Sequence, residues 1–227
     1  TARDKDVTKQ LLQAYKIPYE LVGKKKGNVL SLISEWIFRE IKIFKIAKNF
    51  QPDVLIGNLN PAIAHVGKLL GKKTVIFTDQ EPHALKFPLA DWLIMPFADT
   101  ILTLESVNYS YGKKEIRLNS YKELAYLHPN WFHPDEEILK KYSFSKNDRI
   151  IIVRFVEWGA YHDIGKGTFT IEQKRNLIAE LNKYGKVLIS SESRLPKDLI
   201  QYQLKIQPED IHHFLYFAQL LVCDSQT

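Results

Sequence analysis

A group of residues suited to holding a polar ligand follows one strongly β-forming run. Residues 149–156 are mostly β-branched and apolar, which predicts a buried strand. Arg154 lies near the end of this strand, and Trp158, His162 and Asp163 follow in the next loop. In an open α/β sheet, ligands bind beyond the carboxyl ends of the strands. We therefore expect a binding site here; the alternative is a solvated surface loop whose tryptophan fills the core.

These four side chains offer complementary chemistry. The guanidinium of Arg154 can neutralise phosphate, and the indole of Trp158 can stack on a base or sugar ring. The carboxylate of Asp163 can accept hydrogen bonds from hydroxyl groups, and His162, whose type titrates near neutrality, can act as a general base. A salt bridge that holds the loop together is the alternative for Arg154.

Polar residues also follow two neighbouring strands in the first half of the chain. Asn58 and Asn60 lie at the end of one predicted strand, and Asp79, Glu81 and His83 lie at the end of the next. Because adjacent parallel strands end at the same edge of a sheet, both loops should meet there. We predict that Glu81 and His83 carry out acid or base chemistry, whereas Asn60 caps a helix.

The composition is that of a globular protein. Of its 227 residues, 45% are hydrophobic and 26% are charged, and no apolar run reaches the roughly 18 residues of a spanning helix. A chain of this length can form one large or two smaller domains. The single cysteine, Cys223, forms no internal disulfide and fits a reducing compartment, so we expect a cytoplasmic protein. Its apolar neighbours favour a core residue over a nucleophile.

The net charge of +6 comes from lysines scattered in short groups. Such dispersion is typical of a solvated surface, so we predict no nucleic-acid partner, although the charge would suit phosphates or anionic lipid.

The apolar segment 92–97 could contact the inner face of the membrane peripherally, but a core helix is the favoured interpretation. His212 and His213 are consecutive and diverge on a helix, so we predict no metal site.

Strand and helix patterns alternate along the chain, which predicts an α/β protein with two Rossmann-like, doubly wound parallel-sheet domains. A proline-rich stretch without periodicity marks the boundary, giving domains at 1–128 and 138–227 joined by a linker at 129–137. The predicted strands are 19–22, 53–57, 73–78, 100–104, 149–156, 186–190, 204–206 and 220–223. The predicted helices are 6–15, 30–47, 60–71, one that ends near residue 95, 171–184, 196–203 and 208–218.

Four segments make the sequence recognisable: TARDKDVT (1–8), YKELAYLHP (121–129), RFVEWGAYHDIG (154–165) and DSQT (224–227). They resemble an uncharacterised family of archaeal and bacterial proteins described as predicted glycosyltransferases. The resemblance implies a type B glycosyltransferase-like architecture, related in fold to UDP-N-acetylglucosamine 2-epimerases and to lipid-linked N-acetylglucosaminyl transferases. It also implies a strand before residue 1 and a helix after residue 227, so we expect a fragment truncated at both ends.

The resemblance implies transfer of a sugar from a nucleotide-sugar donor, without metal or cofactor, to an unknown glycan or lipid-linked acceptor. The first domain would face the acceptor, and the second would bind the donor in a cleft between facing strand ends. Two open alternatives are a 2-epimerase-like enzyme and a non-catalytic sugar-nucleotide or glycan-binding protein.

The loop after Arg154 lacks both the glycine-rich donor turn of the lipid-linked transferases and the His-Arg motif of the epimerases. The donor-side candidates are Arg154, Trp158, Asp163, Glu192, Asp224 and Ser225, with Asn58 and Asp79 on the acceptor side.

Two of these donor-side pairs lie at further strand ends. Asp224 and Ser225 would precede a helix whose free amides suit phosphate. Ser191 and Glu192 place a hydroxyl and a carboxylate beyond another strand, with a helix cap as the favoured alternative because Pro196 follows.

Overall fold

The computed structural model describes residues 1–4, 7–24, 29–79, 93–155, 169–191 and 194–224. The chain divides into two compact units, unit 1 (Thr1–His128) and unit 2 (Pro129–Thr227). Every strand pair in both units is parallel among the described residues, which together with the intervening helices confirms the predicted α/β class. None of the described helices is long and apolar enough to cross a membrane.

Unit 1 contains two sheets, one of two strands (β1-β2) and one of four strands in the order β3-β4-β5-β6. Its strands are β1 (Ala2–Asp4), β2 (Leu21–Lys24), β3 (Val54–Asn58), β4 (Lys73–Phe77), β5 (Thr100–Leu104) and β6 (Glu115–Leu118). Its helices are α1 (Thr8–Ala14), α2 (Val29–Phe50), α3 (Pro61–Leu70) and α4 (Leu124–Leu127), with a 3-10 turn at Gly112–Lys114.

Local sequence signals fix both ends of α3. The side chain of Asn60 accepts a hydrogen bond from the Ala62 amide at 3.1 Å, and Pro61 occupies the first helical position. Gly71 ends the helix in the left-handed conformation, with φ at 64°. The predicted capping role of Asn60 is therefore confirmed.

The core of unit 1 forms where α2 and α3 meet the four-stranded sheet. Ile43 of α2, Val66 of α3, Ile76 of β4 and Ile101 of β5 are all buried. Each buried side chain of this size contributes about 2 kcal/mol to folding. This packing holds α3 in a fixed position against strands β3, β4 and β5.

Unit 2 is built on one central strand. Its sheet has the order β8-β7-β9, so β7 pairs on both sides. The strands are β7 (Ile150–Phe155), β8 (Lys186–Ser191) and β9 (Leu220–Cys223). The helices are α5 (Glu136–Lys141), α6 (Ile171–Leu181) and α7 (Ile211–Phe217), with 3-10 turns at Ile200–Tyr202 and Pro208–Asp210.

Strand β7 is buried on both faces, as its apolar sequence predicts. Val153 and Phe155 on one face pack in a cluster with Ile178 of α6. Ile152 on the other face packs in a cluster with Phe214 of α7. This double burial fixes the position of the strand end where the ligand site is predicted.

Several elements were not predicted. Residues 2–4 form a strand, and the helix predicted at 6–15 is α1, which begins at Thr8 after Val7, a residue that makes no side-chain cap. Helix α5, which begins at Glu136 and is capped by Asp135, was not predicted either. Strand β6 was not predicted, because its polar sequence carries no strong strand pattern.

The segment 196–206 is also not the predicted helix and strand. It contains only the 3-10 turn Ile200–Tyr202, and residues 204–206 form no strand, although Gln203 makes an isolated parallel bridge with Ile189. Leu195 and Leu199 are both buried in the cluster on the α6 face of the sheet. The burial of these two leucines does not require a helix. Tertiary packing therefore outweighs the sequence pattern that predicted a helix at 196–203.

Candidate functional site

The carboxyl edge of the unit 2 sheet brings two predicted site residues together. Arg154 of β7 is in register with Ser190 of β8 and Cys223 of β9. Beyond β9, the Asp224 amide donates a hydrogen bond of 3.4 Å to the Arg154 carbonyl oxygen. Arg154 and Asp224 therefore lie on adjacent strands at the edge where ligands of α/β sheets bind.

Arg154 shares one face of the sheet with Ile150 and Ile152, because side chains alternate along a strand. Ile150 and Ile152 are buried against α5 and α7, whereas Arg154 is only partly buried. Ser191 ends β8 beside Phe155 and is also partly buried. Arg154 and Ser191 thus lie at the boundary between the apolar core of unit 2 and the carboxyl edge of its sheet.

A second cation lies at the same strand end. Lys174 Nζ is 4.6 Å from the ring centroid of Phe155, the buried last residue of β7. Phe155 in turn makes an edge contact with Phe169, with ring centroids 6.2 Å apart. Sequence reasoning did not predict Lys174 as a site residue. Its position in the first turn of the helix that follows β7 would have indicated that it lies near the end of this strand.

The start of α6 is closed by its own side chains. Thr170 Oγ1 accepts from the Gln173 amide at 3.2 Å, and Gln173 Oε1 accepts from the Thr170 amide at 2.8 Å. This capping box satisfies two of the amides that a helix N-terminus could offer an anion. Among the described residues of this edge, Arg154 and Lys174 carry positive charge and Asp224 carries negative charge.

The unit 1 sheet presents a comparable edge. Asn58, which is exposed, ends β3 in register with Phe77 of β4, and Asp79 follows β4 two residues later. The Asp79 carboxylate forms a short ion pair with Lys122, which follows β6. The hydrogen bond from Lys122 to Asp79 raises the pKa of Lys122 above its ordinary value. Asp79 thus has a protein partner, and sequence reasoning missed Lys122 because it is distant along the chain.

Seven predicted site residues lie outside the described residues, so the structure does not place them. Glu81 and His83 belong to unit 1, whereas Trp158, His162, Asp163, Glu192 and Ser225 belong to unit 2. Their proposed roles stay predictions.

His65 of α3 is a polar centre that sequence reasoning also missed. Its Nδ1 lies 2.7 Å from Glu40 Oε1 of α2, and its Nε2 lies 2.7 Å from the Leu93 carbonyl oxygen. The ring also packs edge-on against Phe97. Both partners are acceptor oxygens, so a ring nitrogen that carries hydrogen can donate to the one it faces. We interpret this arrangement as a link between α2, α3 and the segment before β5.

Among the described residues, no group of three or more histidine, cysteine, aspartate or glutamate side chains is placed to hold a metal ion.

No protein-family description matches the sequence, and no curated protein matches it. Solved structures do match. The chain resembles a Listeria monocytogenes protein provisionally described as a UDP-N-acetylglucosamine 2-epimerase, with a TM-score of 0.59 and 11% identity. It also resembles S. aureus MnaA, solved with UDP, with a TM-score of 0.58 and 10% identity.

These likenesses cover 96% and 97% of this chain, which spans 63% and 65% of the two solved chains. At such low identity they show the fold alone. The chain shares the α/β fold of these two solved proteins, with Rossmann-like parallel-sheet units, as the sequence predicted.

Proposed function

We propose that this chain is part of an enzyme that binds a nucleotide sugar through unit 2 and transfers the sugar to an acceptor. The observation that carries the proposal is the carboxyl edge of the unit 2 sheet. There Arg154 lies on one face of β7, and Lys174 contacts Phe155, the last residue of this strand, on the opposite face. Two cations at a fixed strand end suit the diphosphate of a nucleotide sugar, because charged hydrogen bonds to phosphate are among the stronger polar contacts.

The same edge offers acceptors for the sugar and ribose hydroxyls. Asp224 lies beside Arg154, and the candidates Trp158, Asp163, Glu192 and Ser225 follow the same three strands in sequence. Stacking on an indole and hydrogen bonds to carboxylates are the usual means of holding such ligands. The S. aureus structure with UDP, which shares this fold, supports the proposal that this chain binds a nucleotide.

The reaction that we favour is glycosyl transfer, in line with the resemblance to the family of predicted glycosyltransferases. Glu81, His83 and His162 are the proposed acid and base residues. Unit 1, with Asn58 and Asp79, would face a glycan or lipid-linked acceptor in the cytoplasm or at the inner face of the membrane. Positioning and phosphate neutralisation would provide most of the rate enhancement.

The second candidate is 2-epimerisation of a nucleotide sugar. The fold likeness to the Listeria protein described as a UDP-N-acetylglucosamine 2-epimerase favours it. Both reactions begin with the same nucleotide-sugar complex, so they differ in the fate of the sugar and not in the site that we describe.

The test is incubation of the protein with a panel of UDP-, GDP- and CMP-sugars, followed by separation of the nucleotides and sugars. Release of the nucleoside diphosphate or monophosphate, increased by an acceptor, supports transfer. Conversion of one donor to its 2-epimer without nucleotide release supports the second candidate instead. Binding without either reaction indicates a non-catalytic binding protein.

Variants connect the reaction to the proposed residues. Glu81→Gln and His162→Asn should each lower turnover by about 100-fold, which is typical for a lost general acid or base. His133→Asn is the matched control, because His133 is an exposed residue remote from the strand ends in sequence. Equal turnover in all three variants would remove Glu81 and His162 from the mechanism.

A further inference from the structure

An exposed apolar patch lies on the outer face of α2 in unit 1. Ile37, Phe38 and Ile41 are 53%, 61% and 50% exposed, whereas Ile43 and Ala47 of the same helix are buried in the core. Single exposed apolar side chains are common on protein surfaces, but several that lie together in one helical turn often mark an interaction site. We call Ile37, Phe38 and Ile41 the α2 patch.

Two lysines extend this outer face towards the end of α2. An α-helix has 3.6 residues per turn, so Lys45 and Lys48 fall within the same arc of about 100° as the α2 patch. Both lysines are exposed, and neither makes an ion pair with a described residue. The other two basic residues of α2, Arg39 and Lys42, are partly buried. The outer face of α2 therefore combines apolar side chains with positive charge.

The acidic residues of α2 do not offset these lysines on the outer face. Glu35 is held in an ion pair and is only 8% exposed, and Glu40 lies 2.7 Å from His65 Nδ1 of α3. Helix α3, which packs beside α2, contains no acidic residue, and its one lysine, Lys68, is exposed. The next exposed acid along the chain, Asp53, follows the end of α2. The positive charge of this surface is thus not cancelled by acids of the two helices.

This combination determines which partner the surface fits. A second copy packed against the same face would bring the lysines of both copies into one interface, where they would repel each other. The three apolar side chains are also far fewer than the roughly 20–30 residues that each partner contributes to a stable protein interface. An anionic membrane surface is complementary instead, because apolar side chains enter the boundary of the acyl chains while lysines contact lipid phosphates.

We propose that the α2 patch, with Lys45 and Lys48, docks unit 1 on a membrane surface that contains anionic lipid. Helix α2 lies in the plane of the headgroups, and its two lysines reach the phosphates through their long side chains. The opposite face of α2 stays packed in the core of unit 1, so docking requires no refolding. This inference goes beyond the nucleotide-sugar proposal, which requires no membrane.

The apolar segment 92–97, which the sequence also offers for membrane contact, differs from the α2 patch. Ile94 is fully buried, and Phe97, although 39% exposed, packs edge-on against His65. Residue 92 lies outside the described residues. The described part of this segment therefore contributes to the core, and the proposed membrane surface lies on α2.

The experiment is co-sedimentation of the 227-residue chain with vesicles of phosphatidylcholine, alone or mixed with an equal amount of phosphatidylglycerol. We expect saturable binding to the anionic vesicles that weakens as salt is added, and much weaker binding to the neutral vesicles. The net charge of +6 alone attracts the chain to an anionic surface, so variants must separate the α2 patch from this general attraction.

Phe38→Ser should weaken binding to the anionic vesicles at least about tenfold, because its ring no longer enters the membrane. Ile41→Ser is a second variant of the same kind. Ile171→Ser is the matched control, since Ile171 is 55% exposed on α6 in unit 2, and it should bind as the wild type does. Circular dichroism verifies that each variant is folded.

The lysines are tested by a double variant. Lys45→Gln combined with Lys48→Gln should weaken binding at least about tenfold, because two contacts with lipid phosphates are lost. Lys140→Gln combined with Lys183→Gln removes the same charge from exposed positions of unit 2 and should have a much smaller effect.

Three results would overturn the proposal. One is the absence of binding to anionic vesicles, and another is equal binding of the wild type and the folded Phe38→Ser and Ile41→Ser variants. The third is a dimer in analytical ultracentrifugation that Phe38→Ser dissociates, which would assign the α2 patch to a second copy of the chain. Because the vesicles contain no nucleotide, failure of the nucleotide-sugar proposal does not affect these outcomes.

Discussion

At the scale of single residues, Asp210 shows how a buried charge is stabilised in unit 2. Its carboxylate accepts hydrogen bonds from Lys141 Nζ at 2.9 Å and from Tyr142 Oη at 2.7 Å. Burial alone would raise the pKa of Asp210, but these hydrogen bonds outweigh it, and the pKa lies below its ordinary value. The folded state therefore favours the charged carboxylate, and α5 is fastened to the turn that precedes α7.

Asp210→Asn should lower the free energy of unfolding at pH 7 by about 2 kcal/mol, because the ion pair is lost while Lys141 stays partly solvated. Since the folded pKa is lowered, this stabilisation is complete above the unfolded pKa of roughly 4 and is lost as the pH falls through the folded value. Urea unfolding between pH 7 and pH 3 measures it. The stability curves of the variant and the wild type should converge in acid.

Asp198→Asn is the matched control, because this carboxylate also pairs with a cation but is 50% exposed. Solvent screens an exposed ion pair, so the change in the free energy of unfolding at pH 7 should be small. If Asp210→Asn is as stable as Asp198→Asn at pH 7, the buried pair does not hold α5 to the turn.

At the scale of elements, strong local signals gave correct predictions and weak ones did not. The caps of α3 and the strand β5 follow from Asn60, Pro61, Gly71 and an apolar run, and the structure has them where they were predicted. Strands β1 and β6 are short and polar, and tertiary pairing creates them. The sequence of such strands carries little information, because it lacks the run of β-branched and apolar residues that marks the other strands.

The contact between α3 and β4 depends on Gly67. A Cβ at this position would overlap the Cγ2 methyl of Thr74. Thr74 cannot rotate away easily, because its Oγ1 both accepts from the Asp99 amide at 2.9 Å and donates to Asp99 Oδ2 at 3.1 Å. Its branched Cβ further restricts its rotamers. The glycine thus sets how closely the helix approaches the strand.

Gly67→Ala should therefore destabilise unit 1 by at least about 2 kcal/mol, although alanine is the better helix former by about 1 kcal/mol. Gly71→Ala tests the other end of the same helix, where a Cβ has open space but the positive φ disfavours it by about 1 kcal/mol. Thermal and urea unfolding of both variants measures the two effects. A Gly67→Ala variant more stable than Gly71→Ala would show that the close approach is not required.

At the scale of the whole molecule, the chain is two parallel-sheet units, and each places polar residues at the carboxyl edge of its sheet. This edge could be predicted from sequence because buried parallel strands are easily recognised and ligands bind at their carboxyl ends. The position of Lys122 could not be predicted, because this residue reaches the edge through a tertiary contact with Asp79, which is distant along the chain. A cleft between facing edges stays a prediction.

The measurement that tests the central claim most directly is calorimetric titration of the protein with UDP. This nucleotide is the ligand in the S. aureus structure of similar fold. We predict saturable binding that Arg154→Gln and Lys174→Gln each weaken at least about tenfold, as expected for a lost charged contact to phosphate. Arg175→Gln, next to Lys174 on the same helix but paired with Asp198, should bind UDP as the wild type does. Equal affinity in all three variants, or no binding of UDP, would contradict a nucleotide site at the end of β7.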